Sequence, residues 1–297
     1  MTDYVIGDIH GCYDELIELL ELVSFTPSVD RLISCGDIID KGPNDVGVIK
    51  LLMKVNCILV LGNHDIAYLL SSKTDQHMLS NPYNLLFSND EFLEWLKDSV
   101  LMYNVANGMH VVHAGVPLNS NVTDLYKKAE QAKQFLLELL ESNIIYSNSG
   151  SWYSIDYKDP NQRSITSCKH YKTLSSFTLW RKVNKEGVGL DLTEMQTELS
   201  AQLQSEYKNS VEYKPWFQQK LGLPHDDILF FGHWSRLGYY LLKTDEMRNQ
   251  LVSQCYCLDT SCVYGGELSM MSIPDRKKFS VKARNNYVAT RKNSYYS

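Results

Sequence analysis

Short apolar runs in the first 115 residues stop abruptly at glycine and give way to a small set of carboxylates and imidazoles. Tyr4-Val5-Ile6 stops at Gly7, Arg31–Cys35 at Gly36, Cys57–Leu61 at Gly62, and Met109–Val112 at His113-Ala114-Gly115. Stretches with helical apolar spacing follow the first three, at Asp14–Val23, Val46–Lys54 and Ile66–Leu70. Strands alternating with helices predict an α/β core with parallel pairing. The polar residues then fall at the C-terminal ends of strands, where open α/β sheets place their sites.

Further along, Asn89–Ser99 reads as an inserted surface helix and Asp124–Glu141 as a long amphipathic one. Residues 142–184 are rich in Ser, Tyr, Asn and Lys and read as an irregular, substrate-facing insertion. Four β-like runs close the chain, at Ile228–Phe231, Gly238–Leu242, Cys255–Leu258 and Glu267–Ile273. No repeat or long linker divides the chain, so one domain with two sheets is expected. The N-terminus begins a strand pattern at once, and no apolar run approaches the roughly 20 residues of a membrane helix.

Seven scattered cysteines read as reduced thiols of a cytoplasmic protein. Cys255, Cys257 and Cys262 lack the spacing of a zinc site, and Cys35 and Cys57 lie in apolar strands as core residues. The net charge of −6 conceals an asymmetry, because Arg276–Ser297 carries seven basic residues and no acid. The acidic remainder argues against a nucleic-acid surface on the main domain and suits a protein that gathers carboxylates around cations. For the basic end two readings stand: a solvated, partly disordered terminus, or a contact for an anionic partner.

The chemistry concentrates in five motifs: Gly7-Asp8-Ile9-His10-Gly11, Gly36-Asp37-Ile38-Ile39-Asp40-Lys41-Gly42-Pro43, Gly62-Asn63-His64-Asp65, His113-Ala114-Gly115 and Gly232-His233-Trp234. Imidazoles and carboxylates with one amide and no thiolate suit Mn, Fe, Zn or Co, and less selectively Mg. Two such cations about 3.5–4 Å apart can hold a phosphate oxygen on each side.

In these motifs the chain resembles the calcineurin-like metallophosphoesterases, in particular the phosphoprotein phosphatase superfamily with its GDxHG, GDxxDRG and GNH(E/D) signatures. The spelling of Gly7–Leu16, Phe25-Thr26-Pro27, His113–Pro117, Lys214–Phe217 and Leu258–Leu268 is most similar to the symmetrical diadenosine tetraphosphatases, over most of residues 3 to 273. The resemblance implies an αββα sandwich of two mixed sheets over residues 1–275, with a basic tail at 276–297. It implies two divalent metal ions, manganese foremost. Asp8 and His10 would bind the first ion, Asp37 would bridge, and Asn63, His113 and His233 would bind the second. His64 matches the family's general acid and Asp40 the carboxylate orienting it. Asn63, as a neutral amide, would limit negative charge where a phosphate approaches. Lys41 stands where protein phosphatases carry Arg and offers a point charge in place of a bidentate fork.

Arg181 is a candidate second phosphate clamp or a salt-bridged surface residue. Trp234 and Tyr264 could stack on a nucleobase or pack in the core, and Trp152 and Tyr153 have no better claim. The implied reaction is hydrolysis of diadenosine tetraphosphate to two ADP by a metal-bridging hydroxide. A protein serine/threonine phosphatase is the alternative, and a non-catalytic module on a dead metal site is the weakest reading. The partner is a nucleotide or phosphorylated substrate, with no membrane. Oligomeric state is left open.

Overall fold

The computed structural model describes residues 1–71, 90–142, 169–187, 189, 213–219, 221–224, 226–235, 237, 240–242 and 254–294. Two five-stranded mixed sheets form its centre. In the first, β1 (Asp3–Ile6), β2 (Arg31–Ser34) and β3 (Ile58–Leu59) run parallel, while β11 (Glu267–Ile273) and β12 (Lys278–Lys282) continue it antiparallel beside β1. In the second, β5 (Met109–Val112), β8 (Ile228–Phe231) and β10 (Gln254–Cys257) run parallel, flanked by antiparallel β4 (Met102–Ala106) and β9 (Tyr240–Leu242). A two-stranded pair joins β6 (Lys182–Val183) and β7 (Lys214–Pro215), and a 3₁₀ turn covers Trp216–Gln218.

Alternation along the strands explains the layers. Val5, Ile33, Val111, Phe230, Tyr256 and Met271 share one apolar cluster contributed by both sheets. Their neighbours Ile6, Leu32, Val112, Leu229, Phe231 and Cys257 point the other way, into the larger core shared with the helices. Strands buried on both faces read as continuous apolar runs, and these do. The helices are α1 (Tyr13–Leu22), α2 (Asp45–Lys54), α3 (Asn63–Ser71), α4 (Asp90–Asp98), α5 (Val122–Glu141), α6 (Lys169–Thr178) and α7 (Tyr287–Ser294). Asn44 and Asn121 cap α2 and α5 by accepting from the backbone N–H of Gly47 and Asp124. No helix among the described residues is long and apolar enough to cross a membrane.

Two expectations are corrected. The stretch 142–184 is not irregular throughout, because its described part holds α6, which buries Tyr171, Leu174 and Phe177 at three-residue spacing. The remainder of that stretch, with Trp152 and Tyr153, lies outside the described residues. Within the described residues, the basic segment after residue 275 is not a solvated tail. Phe279 and Val281 face inward from β12, and Lys278 and Lys282 blunt its exposed edge, the charge that disguises an edge strand in a composition count. Beyond it, the Arg284 backbone N–H and the Tyr287 hydroxyl both donate to buried Glu15 Oε1, at 2.9 and 2.7 Å.

Removing residues 276–297 should therefore strip a strand from the first sheet and orphan the Glu15 carboxylate, at about 1–3 kcal/mol for that group alone. The expected melting temperature falls by at least about 5 °C, since each kcal/mol moves a chain of this size by about 2–4 °C. A calorimetric scan showing no shift would mean the segment does not support the fold.

Candidate metal centre

Six parallel strands end at one rim. From the first sheet, β1 delivers Asp8 and His10, β2 delivers Asp37 and Asp40, and β3 delivers Asn63 and His64. From the second, β5 delivers His113, β8 delivers His233 and β10 delivers Asp259. The sheets are stitched together there. The His113 Nδ1–H donates to the Cys35 carbonyl at 2.8 Å, and the His233 backbone N–H meets both oxygens of Asp8 at 3.0 Å. Gly232 permits this approach, because a Cβ there would overlap Asp8 Oδ1.

The turns are strained where the side chains converge. His10, Asp37, Asp40, Lys41 and His233 all take left-handed φ, at 48°, 51°, 74°, 71° and 64°. Such conformations cost about 1–3 kcal/mol each outside glycine and persist only when surrounding bonds hold them. Here the Ile9 and His10 N–H groups both donate to the Asp37 carbonyl, at 3.1 and 2.9 Å. Asp65, fully buried, accepts from the N–H of Asp37, Ile38 and Gly62 at 2.8, 3.1 and 2.8 Å, binding the β2 and β3 loops to each other.

The electrostatics are those of a buried cluster rich in carboxylate. Burial, then the charges of Asp259 and Asp37, raise the Asp8 carboxyl well above its usual range. Burial also raises Asp259 to about 6 and Asp65 to about 7. At Asp37 burial opposes the charge, but positive charge on the surrounding side chains, that of Lys41 once the buried rings are neutral, outweighs it, so this carboxyl sits below its ordinary value. Burial and the Lys41 ammonium lower His10 to about 3, and burial likewise lowers His113 and His233. These three rings are therefore neutral and carry lone pairs.

Where the lone pairs point follows from the bonds on the other nitrogens. A carbonyl only accepts, so Nδ1 of His10, facing the Ile39 carbonyl at 3.0 Å, holds the proton and leaves the lone pair on Nε2, which accepts from the Lys41 ammonium at 3.2 Å and can ligate once that ammonium moves aside. The same logic frees Nε2 of His113. It frees Nδ1 of His233, whose Nε2–H donates to the Leu179 carbonyl at 3.0 Å. Two donor groups result, each with its atoms within 4.8 Å: His10, Asp37 and His64, and Asp37, His113 and His233. Asp37 belongs to both. Its neighbours fit a cation, because His113 Nε2 and Asn63 Oδ1, both lone-pair atoms, face each other at 3.2 Å, an arrangement a shared positive ion relieves.

The structure brings the sequence candidates together, with adjustments. Asp8 grips the His233 backbone, and His64 joins the first donor group with Nε2 at 3.9 Å from Asp37 Oδ2. His64 Nδ1 lies 2.8 Å from Asp40 Oδ2, the pairing expected of an oriented imidazole. The Lys41 ammonium donates to His10 Nε2 at 3.2 Å and lies 5.7 Å from the exposed Tyr264 ring. Arg181 donates to the His233 carbonyl at 2.6 Å, which makes it a support of the second group before it is a clamp on substrate. Trp234 packs against Phe217 at 5.3 Å, so the packing alternative holds for it. The sequence reading left Asp65 and Asp259 without roles. Both stand inside quoted motifs, and that position was the available signal.

Comparison with known proteins finds relatives along nearly the whole chain. Residues 1–251 match the family model described as calcineurin-like phosphoesterase. A symmetrical bis(5'-nucleosyl)-tetraphosphatase of Nitrosospira multiformis is 30% identical over 302 residues, covering 95% of this chain and 96% of its own. One from Pseudomonas fluorescens is 29% identical over 293 residues, covering 95% of this chain and 92% of its own. A crystal structure ascribed to a diadenosine tetraphosphatase shares the fold, with a TM-score of 0.60 at 24% identity over 96% of this chain and 94% of that one.

Cation binding should be linked to protons with a definite sign. Asp8 and Asp259 hold protons in the metal-free pocket that a cation expels, whereas the neutral imidazoles hold none to lose. Mn²⁺ affinity is expected to climb as pH rises through about 6, the Asp259 value, with the raised Asp8 carboxyl adding to the same trend. Calorimetry in buffers of different ionisation enthalpy should count about one or two protons released at mildly acidic pH and fewer under alkaline conditions. Proton uptake, or an affinity flat across that range, would contradict these assignments.

Proposed function

This chain belongs to the calcineurin-like phosphoesterase family, and we propose that it hydrolyses diadenosine tetraphosphate symmetrically to two ADP. The reaction type rests on one observation, that Asp37 is shared by two donor groups at one rim. The substrate rests on end-to-end likeness to relatives named symmetrical tetraphosphatases, which this chain covers by more than nine tenths.

In this reading Asp8 and His10 hold one divalent cation, and Asn63, His113 and His233 hold a second. Asp37, common to both donor groups, would be available to either cation. Manganese is the first choice, with Fe, Co, Zn and Mg as the other candidates. Two bound cations would supply charge for the phosphate oxygens and lower the pKa of an attacking water. Lys41 and Arg181 add positive charge at the rim, where the polyphosphate carries negative charge into a carboxylate-rich site. His64 protonates the leaving oxygen from Nε2–H of its imidazolium form, and Asp40, accepting from Nδ1–H at 2.8 Å, balances that charge and orients the ring.

A second reading, a protein serine/threonine phosphatase, draws support from the same Asp40–His64 pair. A serine alkoxide is a poor leaving group and needs that proton, while a leaving nucleotide phosphate needs it less. The two readings separate on products and on one substitution. Manganese-loaded protein given diadenosine tetraphosphate should yield ADP as the dominant nucleotide. His64→Ala should lower turnover of a phosphoserine peptide about 10²–10⁴-fold and of the tetraphosphate clearly less. AMP with ATP as products, or brisk peptide turnover with an inert tetraphosphate, would sink the symmetrical reading.

A further inference from the structure

A second group of metal-ligating side chains lies where α1 meets the turn after Asp259 and the C-terminal segment. Cys12 precedes α1, Glu15 lies in its first turn, and Cys262 comes from the Asp259–Gly266 loop. One donor atom of each lies within 4.8 Å of the others. All three are shielded from solvent, at 0%, 0% and 2% exposure, and the Cys12 thiol faces the His10 carbonyl at 4.0 Å. The carboxylate is only half satisfied. Oε1 accepts from Arg284 and Tyr287, but Oε2 has no hydrogen-bond partner although it is wholly buried. Packing does not account for that oxygen, because an apolar side chain of similar size would fill the space without the cost of an unpaired buried acceptor.

We propose that Cys12 Sγ, Cys262 Sγ and Glu15 Oε2 form a separate soft-metal site of the zinc class. Two sulfurs and a carboxylate oxygen are ordinary zinc ligands, at about 2.3 Å for sulfur and about 2.0–2.2 Å for oxygen. A tetrahedral ion with those bonds sets its donors roughly 3.5–3.8 Å apart, so the cluster closes by about 1.3 Å at most. Binding releases two protons, one from each thiol, and leaves one net negative charge. That charge is shared by the carboxylate, whose Oε1 already accepts two hydrogen bonds.

The site differs in kind from the phosphoesterase centre, which offers imidazole, carboxylate and amide but no thiolate. Ligand softness would therefore sort the ions, zinc to the thiols and manganese to the rim. A metal here would tie the start of α1, two residues past His10, to the loop that begins at Asp259 and to the strand and helix that close the chain. Linear spacing hides it, because Cys12 and Cys262 lie at opposite ends of the sequence.

The test uses the full chain with cadmium as probe, since a thiolate-to-cadmium charge-transfer band in the ultraviolet reports sulfur ligation independently of activity. The band should appear with one equivalent of Cd²⁺ and be suppressed by competing Zn²⁺. It should persist in Asp37→Asn, which disables the other centre. Cys262→Ser should abolish it. Glu15→Gln, which keeps the volume and the acceptor for Arg284 and Tyr287, should weaken Cd²⁺ at least tenfold. If either variant fails to fold, the wild-type and Asp37→Asn titrations decide. No thiolate band in them, a band lost with Asp37→Asn, or Glu15→Gln binding as tightly as wild type would overturn the proposal.

Discussion

Four carboxylates are buried around one point, and the rest of the site answers to their charge. Asp8, Asp37, Asp65 and Asp259 expose 5%, 2%, 0% and 4% of their surface. An ionised carboxylate in such surroundings is tolerated only when hydrogen bonds or positive charge compensate it. The chain divides the task. Asp65 takes three backbone N–H bonds and serves as a fastener, while Asp37 has one, from His64, and turns its remaining charge toward the imidazoles. A carboxylate so placed suits a cation, and the left-handed turns at His10, Asp37 and His233 bring the surrounding side chains to bear on it.

The two-sheet architecture makes that concentration possible. Parallel strands bring their C-terminal ends to one side, and two parallel triplets facing each other bring six such ends to one rim. Neither sheet alone holds the full donor set, because His113 and His233 come from the second and Asp8, His10 and Asp37 from the first. The bonds from His113 to Cys35 and from His233 to Asp8 thus join the sheets and set the positions of both rings. Arg181 belongs to the same logic, since it holds the His233 carbonyl and adds positive charge behind the ring.

Much of this was legible in the chain because strand ends, tight glycine turns and ligand types coincide in short motifs. The ranges for α1, α2, β8 and β11 follow from periodicity to within a residue or two, and Glu267–Ile273 matches at both ends. What stayed hidden was nonlocal or masked by composition. Asp65 acts on Asp37 and Ile38, far back in sequence, so its motif position marks it without revealing those partners. In β12 the alternation of Phe279 and Val281 is short and framed by lysines, and charge counting reads it as a tail. In α6 serines and threonines dilute an apolar stripe of Tyr171, Leu174 and Phe177. Strand β4 has one register irregularity against β5, between Asn104 and Ala106, which blurs its alternation.

The central claim is that Asp37 sits between two cations. Anomalous diffraction from crystals soaked in manganese tests it most directly. The account predicts two peaks about 3.5–4 Å apart, one beside His10 and one beside His113 and His233, with Asp37 in contact with both. A single peak, or two peaks neither of which shares Asp37, would contradict it.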